Sequence, residues 1–193
     1  MSNKLTVKDL INVGIFTAVY FVTYFACGMI GFIPVLMVVL PLLAPFVGGI
    51  PFMLYLTKVN KFGMVTITGI IVALLMFATG HGWPILVIGI LAAFIADLIF
   101  KSGKYKSWKK TVIGYCVFSQ WIFGAMIPMW IMRDSYFAKL RAGYGDEYAD
   151  TLMSLMSGRM LLVLICLAVI GAISGAYLGR ATLKKHFKRA GIA

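Results

Sequence analysis

The sequence predicts an all-α integral membrane protein: a bundle of six transmembrane helices with both termini on the cytoplasmic side. Three observations carry this. Hydrophobic residues make up 62% of the chain against 12% charged, where a soluble domain carries about a quarter of its residues as charges. Mean hydropathy is +0.97. Six apolar runs, at 10–29, 32–57, 62–80, 84–100, 111–132 and 160–178, mostly lie near the roughly 20 residues that cross about 30 Å of hydrocarbon as a helix.

The charges between the runs set the orientation. Lys4, Lys8, Lys58, Lys61, Lys101, Lys104, Lys106, Lys109, Lys110, Arg180, Lys184, Lys185, Lys188 and Arg189 share one side if the chain crosses at every run, and these are 14 of the 18 basic residues. Arg133, Lys139, Arg141 and Arg159 fall on the other side, mixed with Asp134, Asp146, Glu147 and Asp150. Loops rich in lysine and arginine stay in the cytoplasm. The net charge of +12 is thereby explained by topology and anionic headgroups, without nucleic acid.

The first run ends in Phe25-Ala26-Cys27, a faint lipoprotein-like cleavage site, but Tyr24 stands where a leucine is wanted and the run exceeds a signal peptide's apolar core. It is read as an uncleaved helix. Near its start, Gly14 and Ala18 form a small-residue face that a second helix could approach closely. The second run holds Pro34, Pro41, Pro45 and Pro51 with Gly48 and Gly49, so a kinked or interrupted helix beside a cavity is expected. Gly28, Gly31 and Pro34, and then Gly80-His81-Gly82-Trp83-Pro84, mark tight outer turns. Trp83 and Trp130 suit an outer aromatic belt, and Tyr105 and Trp108 an inner one.

Asp97, in the fourth run, is the one carboxylate within the six. An intramembrane acid suggests function, yet Lys101 four residues on makes a helical ion pair the simpler account. The segment 133–157 repeats apolar residues at three- and four-residue steps, which predicts an amphipathic extracytoplasmic helix broken at Gly143 and Gly145. It is either a connector or a lid. In the last run, Gly171, Gly175 and Gly179 with Ala168, Ala172 and Ala176 predict close helix packing. Residues 1–193 read as a single membrane domain.

Catalytic signatures do not occur. The Gly103-Lys104 pair lacks the spacing of a phosphate-binding loop, and there is no His-Glu-x-x-His or Gly-x-Ser-x-Gly. No enzyme activity, cofactor or metal site is expected. Cys27, Cys116 and Cys166 read as small buried thiols. Thr17, Thr23, Thr66, Thr68, Ser119 and Gln120 can line a cavity but cannot drive transport.

Six helices with both ends inside, no energy source and a small-residue pair in helix one resemble the substrate-binding S component of an energy-coupling factor (ECF) transporter. The opening Lys4-Leu5-Thr6-Val7-Lys8-Asp9-Leu10, the Pro/Gly-rich second run and Ala96-Asp97-Leu98-Ile99 are similar to the Trep_Strep (MptS-like) group. The resemblance implies a multi-pass protein of the bacterial plasma membrane that binds a micronutrient in the outer half of its bundle. It further implies docking through Gly14 and Ala18 on a membrane T component coupled to two cytoplasmic ABC-type ATPases. The His-rich N-terminus of metal-binding members is lacking, which disfavours a first-row metal ion.

The candidate ligand contacts in the outer half are Trp121, Gln120, Trp83, His81, Tyr136, Arg133 and Arg159, which can stack on a ring or neutralise an acid. Belt positions for Trp83 and Tyr136, and snorkelling for Arg133 and Arg159, are the competing accounts. His81 with Met126, Met129, Met132, Met153 and Met156 offers a lesser option, a haem-like tetrapyrrole. An independent secondary carrier and a non-transporting assembly protein are the alternatives in function.

Overall fold

The computed structural model describes residues 4–187, whose regular elements are all helical, with no strand among them; Lys188 and Arg189 of the basic C-terminal cluster lie outside the described residues. The first helix, α1 (Val7–Gly28), starts at a capping box. The Thr6 hydroxyl accepts from the Asp9 amide at 3.3 Å while the Asp9 carboxylate accepts from the Thr6 amide at 2.8 Å. Lys61 donates to the same carboxylate at 2.7 Å and to the Lys4 carbonyl at 3.1 Å. These bonds tie the start of α1 to the turn after the second helix.

The proline-rich run is interrupted. Met29–Phe32 and Pro34–Val38 are 3-10 turns, and only Leu40–Leu56 (α2) is α-helical, with Pro45 and Pro51 inside it. Then follow α3 (Met64–Ala78), α4 (Pro84–Ser102) and a broken rod of α5 (Trp108–Phe118), a 3-10 turn Ser119–Trp121, α6 (Ile122–Met126) and α7 (Pro128–Ile131). The amphipathic segment forms α8 (Arg133–Tyr144) and α9 (Asp146–Leu155), and α10 (Gly158–Thr182) closes the bundle. The break falls at Gly145, whose φ of 86° is left-handed; Gly143 stays helical.

Four stretches are long and apolar enough to cross a membrane: Val7–Phe32, Pro84–Ser102, Trp108–Ile131 and Gly158–Lys185. The helices α2 and α3, with 17 and 15 residues, are apolar but shorter, because prolines replace the first turns of one with 3-10 structure and Gly63 at φ 100° opens the other late. At 1.5 Å per residue, a 15-residue helix rises only about 22 Å.

The core lies where α1, α2 and the rod 108–131 meet. The Phe52 ring packs 4.8 Å from Tyr115 and 4.5 Å from Phe118, and Tyr20 meets Phe52 and Phe118 edge-on at 5.5 and 5.6 Å. The rod is the most buried of the long apolar stretches. On α10 the small residues face α2. A Cβ on Gly171 would strike the Leu42 carbonyl oxygen, on Gly175 those of Pro45 and Phe46, and on Gly179 that of Gly49. Backbones in contact gain dispersion and weak Cα–H···O bonds where lipid gives no hydrophobic drive.

Asp97 makes no ion pair with Lys101. Its Oδ2 accepts from the Gly63 amide at 2.9 Å, the Thr66 amide at 3.0 Å and the Thr66 hydroxyl at 2.9 Å. The carboxylate of α4 thus caps the N-terminus of α3, where unpaired amides attract an anion. Lys101 instead lies 4.9 Å over the Phe62 ring.

Candidate functional site

A cavity of about 420 Å³ opens at one end of the bundle, within the roughly 300–1,000 Å³ of small-molecule sites. It forms because the chain between α1 and α2 turns in short 3-10 segments, leaving a gap that the C-terminal end of α1, the turn after α3, the middle of the rod 108–131 and the pair α8–α9 enclose. Its floor is aromatic: Tyr24 of α1 and Trp121 stand 5.0 Å apart, ring to ring, and the Trp121 indole N–H donates to the Tyr20 hydroxyl at 3.0 Å. Methionines Met29, Met37, Met76, Met126 and Met129 fill much of the wall, as soft side chains do around irregular spaces.

The cover is α8–α9. Tyr136, Leu140 and Tyr144 line the cavity from α8, at the four-residue steps that put side chains on one helical face, and Tyr148 joins them from α9 beyond the break at Gly145. Tyr144 and Tyr148 stack at 5.0 Å, and the Tyr148 hydroxyl donates to the Gly31 carbonyl at 2.5 Å across the opening. Within the pair, Arg133 donates to the Met153 and Met156 carbonyls at 2.8 Å each, holding the last turn of α9. Arg141 pairs with Asp146 at 3.1 Å and with Asp150, and its bond to Asp150 holds that carboxyl below its ordinary range. Burial pushes the Tyr136 phenol up to about 12, helped by Tyr148 and Tyr144 nearby, so it is a protonated donor at neutral pH.

His81 lines the cavity from the turn after α3. The Thr79 hydroxyl donates to the Met76 carbonyl at 2.7 Å, while His81 Nδ1 lies 3.0 Å from that hydroxyl and 3.2 Å from the same carbonyl. With the threonine proton spent on the carbonyl, Nδ1 carries its own proton and donates, which leaves Nε2 as the acceptor. Burial lowers the imidazole's pKa, which favours this neutral form.

Of the seven candidate contacts, the structure brings Trp121, His81 and Tyr136 to the cavity. Gln120 donates instead to the Cys116 carbonyl at 2.9 Å. Trp83 is 56% exposed. Arg133 is engaged with α9, and Arg159 lies exposed at the start of α10. The methionines divide as well: Met126 and Met129 line the cavity, whereas Met132, Met153 and Met156 do not. None of the polar residues Thr17, Thr23, Thr66, Thr68 and Ser119 reaches it. Thr17 donates to Thr68 at 3.1 Å and Thr68 to Tyr55 at 3.0 Å, a buried chain between α1, α2 and α3. Tyr24, Tyr144 and Tyr148 are lining residues that sequence reasoning passed over. The signal was present in the apolar and aromatic spacing of Leu140, Tyr144 and Tyr148, but nothing in it said that these residues meet the 3-10 turn after α1.

Residues 7–189 match the family described as a hypothetical bacterial integral membrane protein, Trep_Strep. No curated protein and no solved structure matches the chain.

Proposed function

The chain belongs to the Trep_Strep family of bacterial integral membrane proteins, and on that premise we propose that it is the substrate-binding subunit of an ATP-driven, ECF-type importer in the bacterial plasma membrane. The observation that carries the reading is the aromatic cavity of about 420 Å³ under a helical cover. In this reading all six apolar helices cross, with α2 and α3 completing their passage through the turns at their ends. Both termini face the cytoplasm and the cavity opens outside. Asp97, engaged as a helix cap, is not free to couple an ion gradient, which supports an importer powered from elsewhere over a secondary carrier.

Docking on a membrane T component with two cytoplasmic ATPases would use α1. Gly14 and Ala18 are exposed, and a Cβ at Gly14 would meet nothing within 4 Å. That face is flanked by Ile11 and Ile15, each 55% exposed, and offers a partner helix close approach. The test is co-purification from the native membrane followed by uptake in vesicles. T subunit and ATPases should accompany the wild type, and uptake should need ATP. Gly14→Leu with Ala18→Leu should abolish both while leaving the solitary protein folded. Uptake by the isolated chain on an ion gradient alone overturns the proposal.

A further inference from the structure

We propose that the cavity selects a small uncharged ring molecule carrying an N–H or O–H donor, with His81 Nε2 as the acceptor that reads it. The inference rests on the reading of this cavity as the ligand site and names the chemistry that site would take.

Three features converge. First, among the described residues no lysine, arginine, aspartate or glutamate lines the cavity. Arg133, the cation that sequence reasoning aimed at an acid, spends its guanidinium on the Met153 and Met156 carbonyls. A carboxylate entering this space would lose water and gain no opposite charge, which is costly. Second, rings meet the ligand from both elements: Tyr24 and Trp121 from the bundle, Tyr144 and Tyr148 from the cover. Aromatic walls with methionine between them favour a flat, polarisable occupant through offset stacking and sulfur–ring contacts. Third, the imidazole has a fixed sense, whereas the tyrosine hydroxyls at the cavity, among them that of Tyr24, buried with no hydrogen-bond partner among the described residues, can either donate or accept. His81 Nδ1 is committed as a donor to Met76 and Thr79, so Nε2, which has no partner among the described residues, can only accept. A donor on the ligand satisfies it; a ligand without one leaves a desolvated acceptor unpaired.

The probes are three molecules of one size class: indole, an uncharged bicycle with one N–H; 1-methylindole, the same bicycle without it; and indole-3-carboxylate, the same bicycle with a charge. Equilibrium dialysis against the full-length protein in lipid nanodiscs, with empty nanodiscs as the blank, reads their affinities. Indole should bind at least about tenfold tighter than either of the others. In His81→Phe the gap between indole and 1-methylindole should close, and in Trp121→Leu both should weaken together. Equal or tighter binding of the carboxylate overturns the uncharged class, equal binding of 1-methylindole overturns the role of His81, and failure of all three to bind overturns both. These outcomes separate from the importer reading. ATP-dependent uptake together with preference for the carboxylate would sink this inference alone, while indole preference in a chain that never joins a T subunit would sink the importer alone.

Discussion

Asp97 illustrates what a single residue can conceal. A lone acid in an apolar helix invites proton coupling, and a lysine four positions on invites an ion pair. Its carboxylate is instead committed to the first turn of another helix, through the amides of Gly63 and Thr66 and the Thr66 hydroxyl. Asp97→Ala should therefore cost about 1.5–3 kcal/mol through buried donors left unpaired, read as a lower unfolding temperature in detergent. Asp97→Asn, which keeps one acceptor oxygen, should recover part of the loss. If neither variant changes the unfolding temperature while transport stops, Asp97 serves function and not folding. Arg133 was opaque to the sequence for a similar reason: its acceptors are carbonyls 20 and 23 residues along, and a main-chain oxygen has no signature in side-chain identity.

At the scale of elements, α2 and α10 touch backbone to backbone. Gly175→Leu has no room to relax, since the Pro45 and Phe46 carbonyls occupy the space its side chain needs. Overpacking of this kind costs about 1–3 kcal/mol, and thermal unfolding should fall accordingly. Gly143→Ala is the opposite case. The position is helical and a Cβ there would meet nothing within 4 Å, so a gain of about 0.5–1 kcal/mol is expected from helix propensity and the stiffer unfolded chain. The cover is held to the 3-10 turn by the Tyr148 hydroxyl on the Gly31 carbonyl. Tyr148→Phe should speed amide hydrogen exchange across α8 and α9 without disturbing the bundle; unchanged exchange would mean that the internal bonds of Arg133 and Arg141 alone hold the cover down.

For the whole molecule, the helical membrane class was legible because composition and run length speak directly to burial in lipid. The glycine stripe of α10 announced its packing, and the prolines of the second run announced an interrupted helix. Element lengths were less legible: the run at 62–80 yields only Met64–Ala78, since hydropathy reports where a chain is apolar and not where Gly63 lets a helix begin. The cavity was readable only in fragments. Trp121 and His81 carry chemistry that stands out anywhere, whereas Tyr24 and Tyr148 became lining residues through the meeting of the 3-10 turns after α1 with α9, a tertiary event that local periodicity does not encode.

The cap on α3 has a consequence for how the protein is made. The amides at the start of this helix find their acceptor 34 and 31 residues later in the chain, and α3 itself has no side-chain cap of its own and only 15 residues. A ribosome that has released α3 but not yet α4 has therefore produced a segment with unpaid polar groups and too little length to settle across a bilayer. The two helices should enter as a hairpin, in one step, once Asp97 has emerged. Glycosylation mapping of truncated chains would read this: a chain ending after Gly82 should leave α3 uninserted, one extended past Tyr105 should insert both, and Asp97→Ala should shift the longer chain back toward the behaviour of the shorter.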